Sequence, residues 1–448
     1  MSSAADTHVD ATATVLQQRK LDEMLRAAGL HFEGKAYPVS LQPRILEADV
    51  AHAVSAAAEA LHRLVERAAE LYWEDERVRR LFPAYRHAER WLLSPPAFRP
   101  VVQICRFDGT LADDGHYKIF ETGTASPGGI IQNGIAGRLW LEAARAFGAY
   151  EELTPGPQPL VDNPHLFVEQ LLRAHEDQFG HAPEAAAVVN LNGRFTNEVD
   201  WMVRGLLDLG VEAELVDAAA FEIEGSTLRT PSGRPVTLTY NKAEQIELIS
   251  DPGAAPYLDV AARNEICFVN PLISHTVLED KAILALLGDP RFSDAFTGDE
   301  RRLIARHVPW TRVFEATTTT DPEGARVSLP EFVLSQREQL VLKPVNLTRG
   351  EGVVVGARVP DEEWRAALTA ALAGGYVVQQ HVPLPQIDVP HPETGTPVSM
   401  VHGLDAYVFR GRCVGFQCRA SLDAVVNIGK RGTLLPVVVQ GSGSGTRG

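Results

Sequence analysis

A lysine followed by a glycine-rich loop is the first feature of the sequence that could support chemistry. In LVLKPVNLTRGEGVVVG, an apolar run leads to Lys343, and a polar loop with Thr348, Arg349, Gly350 and Gly352 precedes a second apolar run. Glycines allow backbone N–H groups to approach phosphate oxygens, and the lysine supplies positive charge. The P-loop pattern GxxxxGK[ST] is absent, and no helix follows the loop directly. Taken alone, the segment is explained equally well as a tight hairpin with an exposed lysine.

A predicted β-hairpin carries an arginine and two carboxylates. It lies in RFDGTLADDGHYKIFETG, where an Asp-Gly turn joins the two strands. Strand alternation places Arg106 and Asp108 on one face, and Glu121 lies on the paired strand. Two carboxylates that face one pocket suit Mg²⁺, which prefers oxygen ligands and commonly shares ATP phosphates, and the planar guanidinium of Arg106 suits a phosphoryl group. A surface ion pair is the alternative, and the hairpin alone favours it.

Composition limits the classes of protein that fit. The chain has 448 residues, 45% hydrophobic and 22% charged, which suits two or three packed subdomains. A net charge of −16 argues against a nucleic acid as a general partner. No apolar run approaches the roughly 20 residues of a membrane span, and the N-terminus has no secretory pattern, so neither a membrane nor secretion is expected. Four scattered cysteines without a CxxC pair favour buried thiols in the cytoplasm.

The elements that position these motifs follow from hydrophobic periodicity. Apolar residues at helical spacing predict one or two long helices between Ile45 and Leu81. From Ala185, an apolar run, an amphipathic segment closed by Gly210 and a further apolar run predict a βαβ unit with parallel strands. The short apolar runs from REQLVLKP to LPVVV predict antiparallel sheet.

The order of the motifs is more specific than any one of them. Arg106-x-Asp108 and Glu121 come first, and they are followed by Lys281 in EDKAILALL, Lys343-Pro344 with its glycine loop, QQHVPLP, and Arg419 in GFQCRAS. This order resembles the circularly permuted ATP-grasp family, which includes glutathionylspermidine synthetase-like enzymes and related peptide or amide ligases. In ordinary ATP-grasp proteins the carboxylate metal ligands follow the lysines, whereas here they precede them. The resemblance covers roughly residues 100–440.

The resemblance implies an α/β fold of mixed α+β character. It is a circularly permuted ATP-grasp architecture with a Rossmann-like βαβ pre-ATP-grasp subdomain. The expected division is a flexible N-terminus at 1–20, N-terminal helices and the metal-binding hairpin at 21–182, the Rossmann-like subdomain at 183–275, the ATP-binding lobe with the closing strands at 276–440, and a flexible tail at 441–448.

The same resemblance assigns roles to individual residues. It implies ATP and Mg²⁺ as cofactors, with Asp108 and Glu121 on the metal and Arg106 and Arg419 as catalytic groups at the transferred phosphate. The residues expected at ATP are Lys281, Lys343, Gly350, Gly352, Gln379, Gln380, Val382 and Asn427. One position departs from the family, which usually has Glu-x-Asn where this chain has Glu121-Thr122-Gly123. Either Thr122, Thr124, Ser126, Asn427 or water completes the metal shell, or one metal site is weakened.

The implied reaction joins a small-molecule carboxylate and an amine, an amino acid or a short peptide, through an acyl phosphate with release of ADP. Candidate substrate residues are Ser126, Asn192, Arg194 and Asn241, although a solvated loop explains Asn192 and Arg194 equally well. Two other functions stay open: a phosphotransferase that stops at phosphorylation, and a non-catalytic ATP-binding scaffold derived from a ligase, which Gly123 favours. A homodimer is compatible with each of them.

Overall fold

A computed structural model describes residues 11–32, 34–191, 196–348, 350–424, 426–428 and 432–441. The predicted substrate residues Asn192 and Arg194 lie outside the described residues, as does Arg349 of the glycine-rich loop. The same holds for residues 1–10 and 442–448, which belong to the two predicted flexible ends.

The N-terminal part of the chain combines helices with the predicted hairpin. Its elements are α1 Ala11–Ala27, β1 His31–Phe32, β2 Lys35–Ala36, β3 Arg44–Leu46, α2 Ala48–Glu74, α3 Glu76–Arg79, α4 Glu89–Leu92, β4 Ile104–Leu111, β5 Tyr117–Gly123, α5 Ile130–Ala146, α6 Pro159–Asp162 and α7 Leu166–Phe179. The prediction of a flexible segment over 1–20 is wrong from Ala11 onward, because α1 begins there. Leu21 and Leu25 of α1 are fully buried in a core that they share with Trp140.

The middle of the chain forms a parallel sheet with its helices. Its elements are β6 Ala185–Asn190, α8 Thr196–Asp208, β7 Glu212–Asp217, β8 Glu222–Glu224, β9 Thr227–Arg229, β10 Pro235–Val236, β11 Leu238–Asn241, α9 Gln245–Ser250, α10 Ala255–Ala262 and β12 Cys267–Val269. The strands are ordered β12-β11-β6-β7, and all three pairings are parallel. Every residue of β6 is buried, which is typical of a parallel strand covered on both faces. The predicted βαβ unit is thus confirmed.

The C-terminal part is mainly antiparallel sheet. Its elements are α11 Leu272–His275, α12 Ala282–Gly288, α13 Gly298–His307, β13 Thr311–Val313, β14 Thr318–Thr320, β15 Arg326–Ser328, α14 Leu329–Ser335, β16 Leu340–Pro344, β17 Val354–Val355, α15 Asp361–Ala371, β18 Tyr376–Gln380, β19 Gln386–Pro390, β20 Pro397–His402, β21 Asp405–Phe409, β22 Arg412–Ser421, β23 Gly432–Leu435 and β24 Val437–Val439. One sheet has the order β13-β18-β16-β17. The prediction of antiparallel pairing is wrong for β24, which pairs in parallel with β3.

The early hairpin and the late strands form one seven-stranded antiparallel sheet. Its order is β19-β20-β22-β21-β4-β5, and β23 pairs with β22. Helix α2 packs against β21 and β22, and its Leu61 and Val65 share a core with Phe107 and Val408. The pairing of β4 with β21 brings Arg106 opposite Tyr407, so residues about 300 positions apart in the sequence become neighbours in this sheet. Within the described residues, no helix combines the length and apolar character that a bilayer span requires.

Candidate active site

A cavity of about 990 Å³ lies between the seven-stranded sheet, the sheet that contains β16 and β18, and the loop after β11. This volume is at the upper end of the range for ligand pockets. Of the predicted site residues, the cavity wall brings together Arg106, Asp108, Glu121, Ser126, Lys281, Lys343, Gly350, Gln379, Gln380, Val382, Arg419 and Asn427. Asn241 and Gly352 lie off this wall.

Two buried lysines occupy one end of the cavity. Lys343 Nζ, on β16, donates to Gln379 Oε1 at 2.7 Å and to Phe120 O at 3.3 Å. Burial lowers the pKa of Lys343 to about 8, and the nearby charge of Lys281 acts in the same direction. Lys281 Nζ lies 3.2 Å from Glu121 Oε2, and this pairing raises the pKa of Lys281 although burial opposes the charge. This part of the cavity thus holds two ammonium groups, and the Glu121 carboxylate is in contact with one of them, an arrangement that can bind an anion.

The glycine-rich loop lies against these lysines. Lys281 Nζ donates to Leu347 O at 2.7 Å, and the Lys281 backbone N–H donates to Val345 O at 2.9 Å. Gly350 and Gly352 both have φ of +69°, a conformation that side chains other than glycine rarely adopt. A Cβ at Gly352 would lie 2.7 Å from Pro344 Cγ. Gly352 therefore shapes the loop from behind, whereas Gly350 faces the cavity.

The segment after β18 lines the cavity next to Lys343 and beside apolar side chains. Gln379 Nε2 donates to Thr311 Oγ1 at 3.1 Å, so both ends of this amide are engaged and it positions Lys343. The backbone N–H groups of Gln380 and His381 donate to Trp310 O and Gln339 O. In the described part of the chain, the N–H of Val382 donates to no other group. Val382 thus offers a free backbone donor beside an apolar wall, an arrangement that suits the edge of a purine.

Two buried aspartates and two half-buried arginines form a chain of ion pairs on the cavity wall. Arg106 donates to both oxygens of Asp108, with Nε to Oδ1 at 2.5 Å and Nη2 to Oδ2 at 3.0 Å. Arg419 Nη2 lies 2.7 Å from Asp108 Oδ2 and 2.7 Å from Asp405 Oδ2. Burial alone would raise the pKa of Asp108, but the two guanidiniums outweigh it and hold that pKa well below its usual range. Burial raises the pKa of Asp405 to about 6.

The two carboxylates predicted to bind metal have different partners in the structure. Both oxygens of Asp108 accept from arginines, whereas Glu121, its neighbour in the β4–β5 register, faces Lys281. Thr122 and Thr124 direct their hydroxyls to Leu278 O and Ser274 O. No group of three or more His, Cys, Asp or Glu residues suited to a metal occurs among the residues that the structure describes. Asp108 and Glu121 thus each have a cationic partner here, and their role as Mg²⁺ ligands stays a prediction.

The other end of the cavity is built around the N-terminus of α5. Gly129 has φ of +78°, and its N–H donates to Glu198 Oε1 at 2.8 Å. Lys242 Nζ lies 3.0 Å from Glu198 Oε2 and donates to Ser126 O at 3.0 Å. Asn241 is fully buried and its amide donates to Ala243 O at 3.3 Å, so the cavity side of this segment belongs to Lys242. A carboxylate and an ammonium thus lie together at this end.

Three carboxylates at the site were not predicted from the sequence. Asp405, Glu198 and Glu279 all line the cavity, yet the sequence assigns a role to none of them, although Glu279 is the first residue of the EDKAILALL motif. The Asp405 position carries the one weak signal, an acidic residue at the start of the apolar run that becomes the fully buried β21. Glu279 Oε2 accepts from the backbone N–H groups of Thr124 at 2.5 Å and Ala125 at 2.9 Å. Burial raises the pKa of Glu279 to about 7, and the charge of Glu121 adds to the shift.

Comparison with known proteins identifies the fold. No protein-family model and no curated protein matches the sequence. A glutathione synthetase-like effector from Globodera pallida, solved without ligand, superposes with a TM-score of 0.67 over 98% of this chain and 100% of that chain, at 13% identity. The chain has an ATP-grasp fold. At this identity the likeness establishes the fold alone.

Two further solved structures resemble this chain, with lower TM-scores. A putative gamma-glutamylcysteine synthetase from Methylobacillus flagellatus has a TM-score of 0.42 at 13% identity and covers 86% of this chain and 88% of its own. An ATP-grasp RimK domain protein from Sphaerobacter thermophilus has a TM-score of 0.28 at 15% identity, with 51% of this chain and 90% of its own covered. These scores are too low to support an argument. The circular permutation stays a prediction.

Proposed function

We propose that the protein is an ATP-dependent carboxylate–amine ligase that forms an amide or peptide bond through an acyl phosphate and releases ADP and phosphate. One observation carries the proposal. A single cavity of the ATP-grasp fold joins a pair of buried lysines, a pair of aspartate-held arginines and an end with both a carboxylate and an ammonium. The three parts correspond to the nucleotide, the reacting centre and the second substrate.

The chemistry requires this division because a carboxylate is a poor electrophile until it is phosphorylated. Lys281 and Lys343 hold the ATP phosphates, which stabilises the charge that spreads over the transferring group. Arg106 and Arg419 lie between the lysines and the α5 end, and their guanidiniums suit the phosphoryl group in transit. Glu121 would hold a Mg²⁺ ion carried by the ATP phosphates, and that ion would supply further positive charge there. Positioning and exclusion of water account for most of the catalysis.

The α5 end of the cavity supports an amino acid or a short peptide as substrate. Glu198 and Lys242 offer one negative and one positive group, and Ser126 and Gly128 line the same wall. An α-amino acid carries the complementary pair of charges. The pairing of Glu198 with Lys242 keeps both groups neutralised until such a ligand exchanges with it.

A cytoplasmic location belongs to the same proposal. All four cysteines are free, and Cys105, Cys267 and Cys418 are buried. Burial raises the pKa of each of these three thiols, which makes them inert packing groups. Such a set suits a reducing compartment.

A non-catalytic ATP-binding protein is the second candidate. Two observations favour it: Gly123 supplies no side-chain oxygen, and Asp108 is held by two arginines. Both reduce the set of groups that can organise a metal for phosphoryl transfer. This candidate predicts that ATP binds without turnover.

A turnover screen separates the candidates. The full chain is incubated with Mg·ATP and with pooled carboxylic acids, pooled amino acids or both, and ADP and AMP are measured. ADP that requires both pools supports the ligase, ADP with the acid pool alone indicates a phosphotransferase, and AMP refutes the acyl phosphate route. ATP binding without turnover in any pool supports the non-catalytic candidate. Lys343→Ala is the control, since its loss of ATP binding ties the signal to this cavity.

A further inference from the structure

Two aromatic side chains from the N-terminal hairpin of β1 and β2 line the cavity. Phe32 is the last residue of β1, and Tyr37 directly follows β2. Both side chains are half-buried, and their rings meet edge to face, with centroids 6.3 Å apart and planes at 88°. Aromatic pairs prefer this arrangement. Phe32 and Tyr37 therefore form one continuous aromatic wall on the cavity.

The aromatic wall is supported from behind by the core that α1 and α5 share. The Tyr37 N–H donates to Leu30 O at 3.0 Å, in the segment after α1. Tyr37 packs against the hydrophobic cluster that contains Trp140, and Ile428, which also lines the cavity, packs against the same cluster. Side chains held by packed neighbours keep a defined position, so this wall can discriminate between ligands by their shape.

Tyr37 places the aromatic wall beside the α5 end of the cavity. A Cβ built on Gly129, the residue before α5, would lie 3.8 Å from Tyr37 Oη. The Gly129 N–H donates to Glu198 Oε1, and Glu198 pairs with Lys242. Burial and the Glu198 carboxylate raise the pKa of Tyr37 to about 12, and the two arginines of the site act in the opposite direction. Tyr37 is thus a neutral phenol beside the charged pair, within reach of the reacting centre.

The open side of the aromatic wall is available to a ligand. Within the described residues, Tyr37 Oη has no hydrogen-bond partner, and it is not sealed in the interior. Part of the Phe32 ring also stays open to the cavity. Apolar surface that faces water in this way is stabilised when a ligand covers it.

We propose that Phe32 and Tyr37 form a specificity pocket for the side chain of an amino-acid substrate, so that the protein prefers amino acids with a large apolar side chain. The inference rests on the ligase function proposed above and names its substrate class. The α-ammonium and α-carboxylate exchange with the Glu198–Lys242 pair, and the side chain reaches the aromatic wall because Tyr37 lies next to that pair. A charged side chain would lose its hydration against the two rings without gaining a counter-charge.

The size of the preference follows from the apolar surface that the wall covers. A side chain as large as that of phenylalanine, packed on such a wall, should raise kcat/KM about 10- to 100-fold over alanine. Each ring supplies part of this contact. Removal of either ring should therefore lower the preference about 5-fold or more.

The test measures the ratio of kcat/KM for L-phenylalanine to kcat/KM for L-alanine. ADP release by the full chain is followed with Mg·ATP, pooled carboxylic acids and one amino acid at a time, and the ratio does not depend on the amount of folded protein. Phe32→Ala and Tyr37→Ala should each lower the ratio and leave the KM for ATP unchanged. Tyr37→Phe keeps the ring and should keep the ratio. Phe332→Ala is the matched control and should also keep it, because Phe332 is a half-buried aromatic residue that packs on Trp310 and does not line the cavity.

The outcomes separate the pocket from the ligase. A wild-type ratio below the expected range, or a ratio that either alanine variant leaves unchanged, overturns the specificity pocket while the ligase stands. If no amino acid supports ADP release, the ligase function fails, and titration calorimetry of the two amino acids with the ATP-bound protein then decides the pocket. Tighter binding of L-phenylalanine that Phe32→Ala removes supports the pocket, and equal or absent binding overturns it.

Discussion

Lys343→Met should stabilise the free protein at neutral pH while it weakens ATP binding. The reason is that Lys343 carries its charge at a buried position, where only 9% of the residue is exposed. Its pKa falls from 10.5 to about 8 on folding. A difference of this size corresponds to about 3 kcal/mol against the charged form. Because this figure already contains the effect of the charge, the two hydrogen bonds to Gln379 and Phe120 count as those of a neutral amine, and they offset about 1 kcal/mol each. The methionine variant should therefore gain about 1 kcal/mol in unfolding free energy at pH 7.

The sign of the pH dependence follows from linkage. Below the folded pKa of about 8, Lys343 is charged in both states and the full penalty applies. As the pH rises from about 8 towards 10.5, the folded state has lost the proton that the unfolded state still binds, so wild-type stability rises relative to the variant. The advantage of Lys343→Met should shrink with pH and reverse by about pH 10, where only the lost hydrogen bonds remain.

The ATP side of the prediction uses the same lysine. A hydrogen bond to a charged group contributes about 1.5–3 kcal/mol, so Lys343→Met should weaken ATP binding about 10- to 100-fold. Urea denaturation at several pH values gives the stability, with an unchanged slope as the check on two-state behaviour, and titration calorimetry gives the affinity. Lys35→Met, at an exposed position of β2, should change neither quantity. A variant that is less stable at pH 7, or that binds ATP as the wild type does, would refute the reasoning.

Three further changes test the rest of the site. Asp108→Asn leaves two half-buried guanidiniums without their shared counter-charge and should lower the unfolding free energy by about 3 kcal/mol, measured by urea denaturation. A loss below about 1 kcal/mol would contradict the ion-pair account. Gly123→Asn adds a side-chain oxygen beside Glu121, with its Cβ 3.1 Å from a backbone oxygen, and should lower the Mg²⁺ concentration for half-maximal ATP binding several-fold. Unchanged Mg²⁺ dependence in a folded variant would count against a metal at this position. Gly352→Ala should weaken ATP binding about 10-fold, because φ is +69° there and the new Cβ would lie 2.7 Å from Pro344 Cγ. Gly324→Ala is the control, since Gly324 also has a positive φ but no close neighbour, and it should leave ATP binding unchanged.

The parts of the site that the sequence predicts are those with local causes. The Asp-Gly turn and strand alternation suffice to place Asp108 opposite Glu121, and the structure pairs these two residues in register. The βαβ unit follows from a change of period and a closing glycine, Gly210, whose φ is +80°. Both inferences use residues within one element or its nearest neighbour, where the physical rules act directly.

The parts that escape prediction depend on partners far along the chain. Asp108 meets Arg419 across 311 positions, and Glu279 meets Thr124 across 155. A lone carboxylate in an apolar run gives no indication of which distant cation or backbone donor will satisfy it. The same limit explains α1, because the burial of its leucines depends on Trp140 of α5. The predicted metal role of Asp108 comes from the hairpin and the order of the motifs, and its contact with Arg419 of β22 appears only when the strands pair.

Under the proposed function, the charges around the lysines and those around the arginines fit separate roles, in ATP binding and in phosphoryl transfer. In the proposed function, Lys281 and Lys343 attract ATP before any reaction, and Glu121 is the carboxylate in direct contact with Lys281. Each arginine pairs with a buried aspartate, and Arg106 Nη1 also donates a hydrogen bond to Gly128 O. In the described residues, Arg419 Nη1 has no partner, so one donor is left at the centre of the cavity. Asp108 and Asp405 therefore fix the position of Arg419, and its Nη1 donor stays available. This arrangement is expected of a group that contributes little to ATP affinity and acts when a phosphoryl oxygen reaches it.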